Sequence, residues 1–186
     1  MGMVRRRLCV KQLKSIVVSS FPWVGEKFMF REVARKKQSL EMGRMVEILK
    51  QEKRGVLSVH GENGYPYGVP MNFWYNEENG YLYFHSGKKG HKIDGINANN
   101  KVSFCVYDQG FQREGEWSLN ISSVIVFGEM VVVEDFEKAV DVFRRLSLRF
   151  TSDMDYIDSE IEKFAQATLC YELRPQHMTG KIVNEA

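Results

Sequence analysis

Three short segments near the middle of the chain have the composition and spacing of β-strands, and they restrict the fold more than any other feature. Residues 54–60 (RGVLSVH) alternate apolar and polar side chains, and residues 61–64 (GENG) are typical of a hairpin turn. Residues 65–75 form the return strand, and a second turn at 76–80 (NEENG) leads into the aromatic strand YLYF. Strands joined by such short turns pair as antiparallel neighbours. The region therefore predicts an antiparallel meander.

The return strand contains Pro66 and Pro70. Proline has no backbone N–H to donate to a neighbouring strand, so it is rare in the middle of a sheet. Pro70 therefore marks an edge strand, a β-bulge, or a place where something other than a strand pairs with the backbone. The sequence leaves these three alternatives open.

Further strand and helix patterns surround the meander. Strands are predicted at 101–107, at 117–133 with bends at Ser122-Ser123 and Gly128, and at 167–173. Helices are predicted at 40–52 with Ser39 as N-cap, at 92–98, at 134–150, and over part of 152–166. Residues 108–116 are interpreted as a polar loop and 175–186 as a C-terminal arm. The pattern predicts a mainly β fold with flanking helices, a six-stranded antiparallel barrel.

Length, charge and cysteine spacing limit the class of protein. The 186 residues suffice for a full core, and a net charge of +2 does not indicate a nucleic-acid-binding protein. Cys9, Cys105 and Cys170 are far apart and lack the spacing of a zinc site, so we expect no metal. They are interpreted as reduced thiols of a cytoplasmic protein, with Cys105 and Cys170 in strands. Packing is the commoner role of a buried cysteine, and catalysis stays open as the lesser alternative.

Residues 1–27 differ from the rest of the chain in charge. Five basic residues precede the first acidic residue, Glu26: Arg5, Arg6, Arg7, Lys11 and Lys14. The apolar run at 16–18 is too short for a signal peptide or a membrane span. Three interpretations stay open: a tail packed on the domain, a basic arm that contacts an anionic partner, or a true start at Met29. We expect an N-terminal extension of little function at 1–27 and one domain at 28–186.

The aromatic strand at 81–84 runs through His85 into a turn that carries Gly87 and Gly90. A short helix follows, and polar or basic side chains crowd the junction: Ser86, Lys88, Lys89, His91 and Lys92. The start of a helix presents free N–H groups and the positive end of the helix dipole, and glycine lets a phosphate approach. The junction therefore predicts an anion site. A solvated basic turn is the alternative, which this short motif alone would favour.

Four segments in colinear order resemble the FMN-binding split-barrel family, the pyridoxamine 5′-phosphate oxidase-like proteins. They read GYPYGVPMNFWY at 64–75, YFHSGKKGHKID at 83–94, KVSFCV at 101–106 and SSVIVFGE at 122–129. Within the family the chain is similar to the nitroimidazole-resistance (5-nitroimidazole reductase-like) branch, whose usual ending resembles QHMTGK near the C-terminus. The resemblance covers about residues 28–183 and implies a split β-barrel domain that binds FMN.

The resemblance also implies where the cofactor binds. A strand beside the flavin ring is matched by Val69, Pro70, Met71, Asn72 and Phe73, with Asn72 best placed to reach the polar edge of the ring. The phosphate-binding segment is matched by His85, Ser86, Lys88, Lys89, His91 and Lys92. Ser122 and Ser123 match a position from which the partner subunit approaches the cofactor. The family is built as homodimers with two flavins in the interface.

Structural roles are the alternative for several of these residues. Asn72 could merely pair with a bulge at Pro70, and His91 is interpreted as a helix-start residue near phosphate rather than a catalyst. The aromatic run at 73–75 is more typical of packing. His85 is the candidate catalytic residue, with a structural hydrogen bond as the competing role. His60 and His177 receive no role.

The resemblance implies an FMN-dependent oxidoreductase that reduces small, flat, electron-poor acceptors such as nitro-heterocycles. The alternative is a non-catalytic flavin-binding or haem-binding protein, in which His85 or His177 would be an axial ligand. The phosphate-type turn favours FMN over haem. The name-giving oxidase closes with an arginine-rich strand that grips pyridoxal phosphate, whereas residues 178–186 read MTGKIVNEA. Vitamin B6 oxidase activity is therefore not expected.

Overall fold

The computed structural model describes residues 30–184, and the predicted extension at 1–27 lies outside the described residues. In the described part, eight strands and four helices follow one another in chain order. They are α1 (Met42–Gln51), β1 (Arg54–His60), β2 (Pro66–Asn72), β3 (Trp74–Asn76), β4 (Tyr81–Gly87), α2 (His91–Ala98), β5 (Lys101–Tyr107), β6 (Phe111–Gln112), β7 (Leu119–Val132), α3 (Phe136–Ser147), α4 (Met154–Phe164) and β8 (Thr168–Asn184).

The strands form one antiparallel sheet in the order β2-β1-β5-β7-β8-β4-β3, and β6 pairs with β7. The prediction of a mainly β fold with flanking helices is confirmed, but the prediction of six strands is wrong, because the structure has eight. One extra strand is β6, which lies in the predicted polar loop. The other arises because the return strand divides at Phe73, whose backbone N–H donates to the carbonyl of Lys53 at 3.2 Å.

The two edge strands of the sheet, β2 and β3, are consecutive in the chain and are joined through Phe73. Because neighbours in sequence stand at opposite ends of the strand order, the sheet must curl until its edges meet. The inside of the curl holds the main core, in which Leu57, Phe84, Phe104 and Val126 are fully buried. Phe104 packs edge-to-face on Phe84, with ring centroids 4.9 Å apart.

Pro70 lies in an edge strand, as one of the three alternatives predicted. β2 pairs only with β1, and their register runs without interruption from Arg54 opposite Asn72 to His60 opposite Pro66. There is accordingly no bulge between these two strands at Pro70. The missing N–H of a proline does no harm on the outer edge of a sheet.

The predicted C-terminal arm is wrong, because β8 continues to Asn184. It pairs with β7 along almost its whole length, so the backbone groups of this segment are satisfied by a ladder rather than by solvent. The register shifts once, between Phe127 and Gly128, and Pro175 lies opposite Gly128 at this irregularity. The predicted bend at Gly128 is therefore confirmed. The bend at Ser122-Ser123 is not observed, since β7 passes through both residues in unbroken register.

The first helix begins two residues later than predicted, at Met42, with Glu41 at the N-cap position. Ser39 does not cap it, because this segment is held by β8: Ser39 forms a bridge with Lys181, and the Leu40 N–H donates to the Gly180 carbonyl at 3.0 Å. The other end of α1 is fixed by Arg149, whose guanidinium donates to the carbonyls of Lys50 and Glu52. Both ends of this helix are therefore tied to the rest of the chain.

Helices α3 and α4 cover the outer face of β4 and β8. Each begins at an aspartate whose carboxylate accepts a backbone N–H, Asp135 for α3 and Asp153 for α4. Their apolar faces form a second cluster with Tyr83, Phe143 and Cys170. Within residues 30–184, none of the helices combines the length and the hydropathy that crossing a membrane requires.

Candidate functional site

The curled sheet leaves an opening, here called the split, between residues 69–72 of β2 and residues 84–87 of β4. β3 pairs with β4 from Trp74 opposite Tyr83 to Asn76 opposite Tyr81. Continued, this register would place Asn72 opposite His85. Instead the chain turns at Phe73 and β2 pairs with β1. The end of β4 therefore faces the free edge of β2, and several predicted cofactor residues lie along the two sides.

The basic turn and the start of α2 close one end of the split. Gly90 precedes the helix with φ 124°, a backbone conformation that favours glycine, and a Cβ at this position would meet no atom within 4 Å. No side chain caps the first N–H groups of α2. The His91 ring stacks on Tyr67 of β2, with centroids 4.3 Å apart, which holds the helix start over β2. The turn thus presents an open glycine and uncapped helix N–H groups.

Ser86 is a buried polar residue beside this turn. Its side chain points to the barrel interior and is 5% exposed, and its Oγ has no hydrogen-bond partner in the described residues. A buried hydroxyl without a partner is costly, so such groups commonly mark a place that a ligand or a water completes. The location fits a group that carries hydrogen-bonding oxygens.

The three lysines of the turn have different surroundings. Lys88 Nζ donates to the carbonyl of Gln166 at 2.8 Å, so this ammonium group is held at the end of α4. Lys89 is exposed, whereas Lys92 is half-buried at the start of α2. Lys92 also contributes to the lowered pKa of His85, which shows that its charge acts on the strand end. Lys92 is accordingly the lysine best placed to serve an anion in the split.

His85 lies on the face of β4 opposite to Ser86, because side chains alternate along a strand. Its ring lines a cavity of 160 Å³ between β4 and the helices α3 and α4. Burial among these elements lowers the pKa of His85, and the nearby charge of Lys92 lowers it further. The imidazole is therefore biased toward its neutral form at neutral pH, in which one nitrogen donates and the other accepts.

The predicted strand beside the ring is placed along the split, with side chains that alternate between two faces. Val69 and Met71 pack against the core, whereas Pro70 is exposed. The Asn72 Oδ1 accepts from Arg54 Nε at 3.0 Å, a partner that the sequence did not indicate. Phe73 is fully buried in the core beside Phe104, so only its backbone faces the split.

Ser122 and Ser123 lie outside the split of their own chain. They belong to β7, which is separated from β2 by β1 and β5. Ser122 is buried, and its N–H donates to Asp108 Oδ1 at 2.9 Å. Ser123 pairs with Tyr107 and Lys181 on the outer face of the sheet. A role for them at a cofactor would require a second chain.

The remaining histidines and cysteines do not assemble into a site. His177 stacks on Phe30 with centroids 4.8 Å apart, remote in the fold from His85. Burial raises the pKa of the Cys105 thiol, and burial together with Glu172 raises that of Cys170 to about 12. Both thiols are thus poor nucleophiles at neutral pH, which favours packing over catalysis. Among residues 30–184 no group of histidine, cysteine and acidic residues could hold a metal ion.

Two residues near the split carry no motif that sequence reasoning used. Tyr67 was treated only as part of a strand, yet it supports the His91 ring. Gln166 acts through its backbone carbonyl, which accepts from Lys88 and leaves no trace in residue type. Alternation along β2 could have placed Tyr67 on the inner face. Nothing in the sequence could have indicated Gln166.

Comparisons with known proteins agree on the fold. A family model described as pyridoxamine 5′-phosphate oxidase matches residues 41–182. A candidate 5-nitroimidazole antibiotic resistance protein from Bacteroides thetaiotaomicron has a similar structure, with a TM-score of 0.66, 24% identity and coverage of 78% of this chain and 87% of that chain. No curated protein sequence matches the chain.

Two further solved structures share the fold at lower identity. A FAD-binding protein from Mesorhizobium loti has a TM-score of 0.56 and 20% identity over 78% of this chain and 97% of its own. The flavocytochrome Anf3 from Azotobacter vinelandii has a TM-score of 0.59 and 17% identity over 81% of this chain and 72% of its own. At these identities the likeness concerns the fold.

Proposed function

The chain belongs to the pyridoxamine 5′-phosphate oxidase family, whose model matches residues 41–182 of 186, and from this premise we propose that it is an FMN-dependent oxidoreductase. The observation that carries the proposal is the split, in which a buried unpartnered hydroxyl, an open glycine and a half-buried lysine surround the start of α2. Fold alone does not determine activity, so the argument rests on these residues.

The phosphate of FMN is proposed to bind at the turn between β4 and α2. Ser86 Oγ would donate to it, the uncapped N–H groups of α2 would point at it, and Lys92 would neutralise its charge. The open space above Gly90 allows a phosphate oxygen to approach the backbone. A single phosphate suits this compact turn, which is why we propose FMN rather than FAD.

The flavin ring is proposed to lie along the free edge of β2, beside the backbone of residues 69–73. Strand edges offer N–H and C=O groups that a flat polar ring can pair with. Asn72, already held by Arg54, would present its amide toward the polar edge of the ring. When bound, FMN would carry electrons from a reduced donor such as a reduced nicotinamide to a small, flat, electron-poor acceptor.

His85 is proposed as the catalytic residue that serves the acceptor. Reduction of a nitro group to a nitroso group consumes two electrons and two protons and releases water. A neutral imidazole can donate its N–H to a nitro oxygen and then pass on a proton, which is typically worth about 10²–10⁴-fold in rate. The lowered pKa of His85 supports this neutral form.

A homodimer is proposed to complete the site. The outer face of the sheet carries a row of adjacent small or apolar residues, Val56, Cys105, Ile125 and Thr179, and Ile125 is 36% exposed. A second copy placed on this face would cover the row and bring its Ser122 and Ser123 toward the first chain's cofactor. Sedimentation of the FMN-loaded protein at micromolar concentration tests this, and a monomer that retains flavin would contradict it.

The test of the function is a visible spectrum followed by anaerobic reduction. We expect purified protein, or protein incubated with FMN, to show flavin absorbance and to release FMN on denaturation. After reduction, addition of a nitroimidazole should reoxidise the flavin, and His85→Ala should slow this step at least about tenfold while flavin stays bound. Protein that takes up no FMN at micromolar concentration contradicts the proposal. Flavin that stays reduced with a nitroimidazole would favour the alternative of a non-catalytic binder.

A further inference from the structure

The cavity beside His85 has no role in the cofactor site proposed above. It measures 160 Å³ and is enclosed by β4, α3 and α4, with walls formed by His85, Phe143, Ser147, Glu160, Ile161 and Phe164. We propose that this cavity, here called the His85 cavity, binds the acceptor substrate. It would take a single small heteroaromatic ring, and α4 would set the size limit. This inference rests on the proposed function.

The volume of the His85 cavity limits the ligand to one ring. Protein interiors contain few voids larger than a water molecule, and an apolar cavity of about 150 Å³ is large enough to bind benzene. The 160 Å³ here is of that size. Pockets for drug-sized molecules are larger, roughly 300–1,000 Å³. A two-ring acceptor or pyridoxamine phosphate would therefore not fit without movement of a wall.

The walls combine apolar surfaces with a few polar groups, as ligand sites do. Phe143 is buried, whereas Phe164 is 54% exposed, an unfavourable state for an aromatic ring that a bound ring would relieve. His85 can donate to a nitro oxygen. The Glu160 carboxylate, paired with Lys163 at 3.3 Å, can accept the N–H of a ring. These groups suit an electron-poor ring that also carries an N–H donor.

The His85 cavity is physically joined to the proposed cofactor turn. Lys88 Nζ donates to the carbonyl of Gln166, which lies between the cavity-lining residues Ala165 and Thr168. The Thr168 hydroxyl in turn donates to the carbonyl of Phe164 at 2.8 Å. One strand end therefore carries His85 toward the cavity and Ser86 toward the split. An acceptor in this cavity and a flavin in the split would both be neighbours of the same two residues.

The experiment measures binding of 4-nitroimidazole alone, by ligand-observed NMR, to flavin-free and FMN-loaded protein. Ile161→Phe adds volume to the wall and should weaken the probe at least tenfold without changing the dissociation constant of FMN. Phe164→Ala removes a wall and should improve binding of the two-ring probe 5-nitroindole at least tenfold relative to 4-nitroimidazole. Tyr156→Ala is the matched control, since Tyr156 lies on the same helix, is 57% exposed and does not line the cavity.

The possible results separate the two proposals. If FMN binds and Ile161→Phe or Phe164→Ala changes probe affinity as stated while Tyr156→Ala does not, the acceptor site is supported. If FMN binds but the wild type does not bind 4-nitroimidazole at millimolar concentration, or both cavity variants behave like Tyr156→Ala, the inference is overturned and the flavoprotein stands. If the probe responds to the cavity variants but FMN never binds, the cavity binds rings and the proposed function fails. Should Ile161→Phe not fold, Phe164→Ala alone decides between these results.

Discussion

The two ends of β4 make opposite use of polar side chains. At the end that pairs with β3, Tyr83 is buried, its hydroxyl accepts from Asn79 at 2.9 Å, and the neighbouring Glu172 on β8 accepts from both Lys138 and Arg174. At the other end, Ser86 is equally buried but has no partner in the described residues, and the glycine of the following turn is open.

The difference between the two ends indicates which polar groups serve the fold and which remain for a ligand. A satisfied buried network fixes one arrangement of the chain, whereas an unsatisfied buried group costs stability that a ligand can restore. At the β3 end, Lys138 also lies over the Tyr83 ring and Trp74 stacks on Tyr83, so α3 is clamped to the sheet. Substitutions at the two ends should therefore affect different measurements.

The largest effect is expected from Glu172→Gln at the structural end. The side chain of Glu172 is 3% exposed, and its loss of charge leaves Lys138 and Arg174 without their anion. We expect a loss of about 3 kcal/mol in the free energy of unfolding, the low end for breaking a buried pair, because both cations are half-exposed. Urea denaturation of flavin-free protein measures it. Asp141→Asn, which breaks the exposed pair with Arg145, should cost about 0.5 kcal/mol or less.

Acidification provides an independent check on this pair. Burial alone would raise the pKa of Glu172, but the hydrogen bonds from Lys138 and Arg174 outweigh it and hold the pKa below its usual value of 4.5. A depressed folded-state pKa gives stability that is present above pH 4.5 and is lost as the pH falls through the folded-state value. The wild type and Glu172→Gln should therefore converge in stability below pH 4.5. A difference that stays constant would mean that charge is not its origin.

At the functional end, Lys92→Ala should change cofactor binding and leave folding unaffected. Loss of a charge-assisted contact to phosphate costs about 2 kcal/mol, or about 30-fold in the FMN dissociation constant. Fluorescence titration of flavin-free protein measures this constant. Lys50→Ala is the control, because Lys50 lies on α1 and forms only an exposed pair with Glu77. Equal behaviour of the two variants would show that Lys92 does not bind the phosphate.

Much of this arrangement could be predicted from local sequence, since alternation, turn residues and the Gly/Lys turn act over a few positions. The strand at 101–107 and the turn at 76–80 are as predicted. What failed depends on distant partners. Ser39 looked like an N-cap but is held by Lys181, and the segment after Pro175 looked like a free arm but pairs with β7. No local pattern records a partner far away in the chain.

The candidate site shows the same division. The sequence indicated Ser86, His85 and Lys92 because strand end, turn and helix start are adjacent in the chain. It gave no sign that Lys88 turns toward Gln166 or that Asn72 is held by Arg54. It also could not show that His85 and Ser86 serve different sides of β4, the property on which the His85 cavity depends.

Ser86→Ala should have opposite effects on stability and on binding. Removal of an unpartnered buried hydroxyl relieves a desolvation cost, so flavin-free protein should gain up to about 1 kcal/mol. The same change removes a donor to the phosphate, so FMN should bind about 5-fold more weakly, corresponding to about 1 kcal/mol. Thermal melts with and without FMN report both effects. A variant that is less stable without FMN would show that Ser86 Oγ has a structural partner after all.

The smallest change concerns the titration of His85 and tests whether the split and the His85 cavity communicate. Burial is the main cause of its lowered pKa, and the charge of Lys92 is the second. Lys92→Ala removes only the second cause, so the pKa of His85 should rise but stay below its usual value of 6.5. NMR titration of the imidazole Cε1 proton measures this shift, and His60, which is exposed at the end of β1, serves as the internal reference.

Because the lowered pKa makes neutral His85 the favoured form in the folded state, its contribution to stability is present above pH 6.5 and falls as the pH decreases through the folded-state value. In Lys92→Ala this loss should be smaller, since less repulsion opposes the protonated ring. Lys89→Ala, an exposed change in the same turn, should leave the titration unchanged. If instead Lys89→Ala and Lys92→Ala raise the pKa equally, the effect comes from the general charge of the turn, and a specific link between the helix start and the His85 cavity is lost.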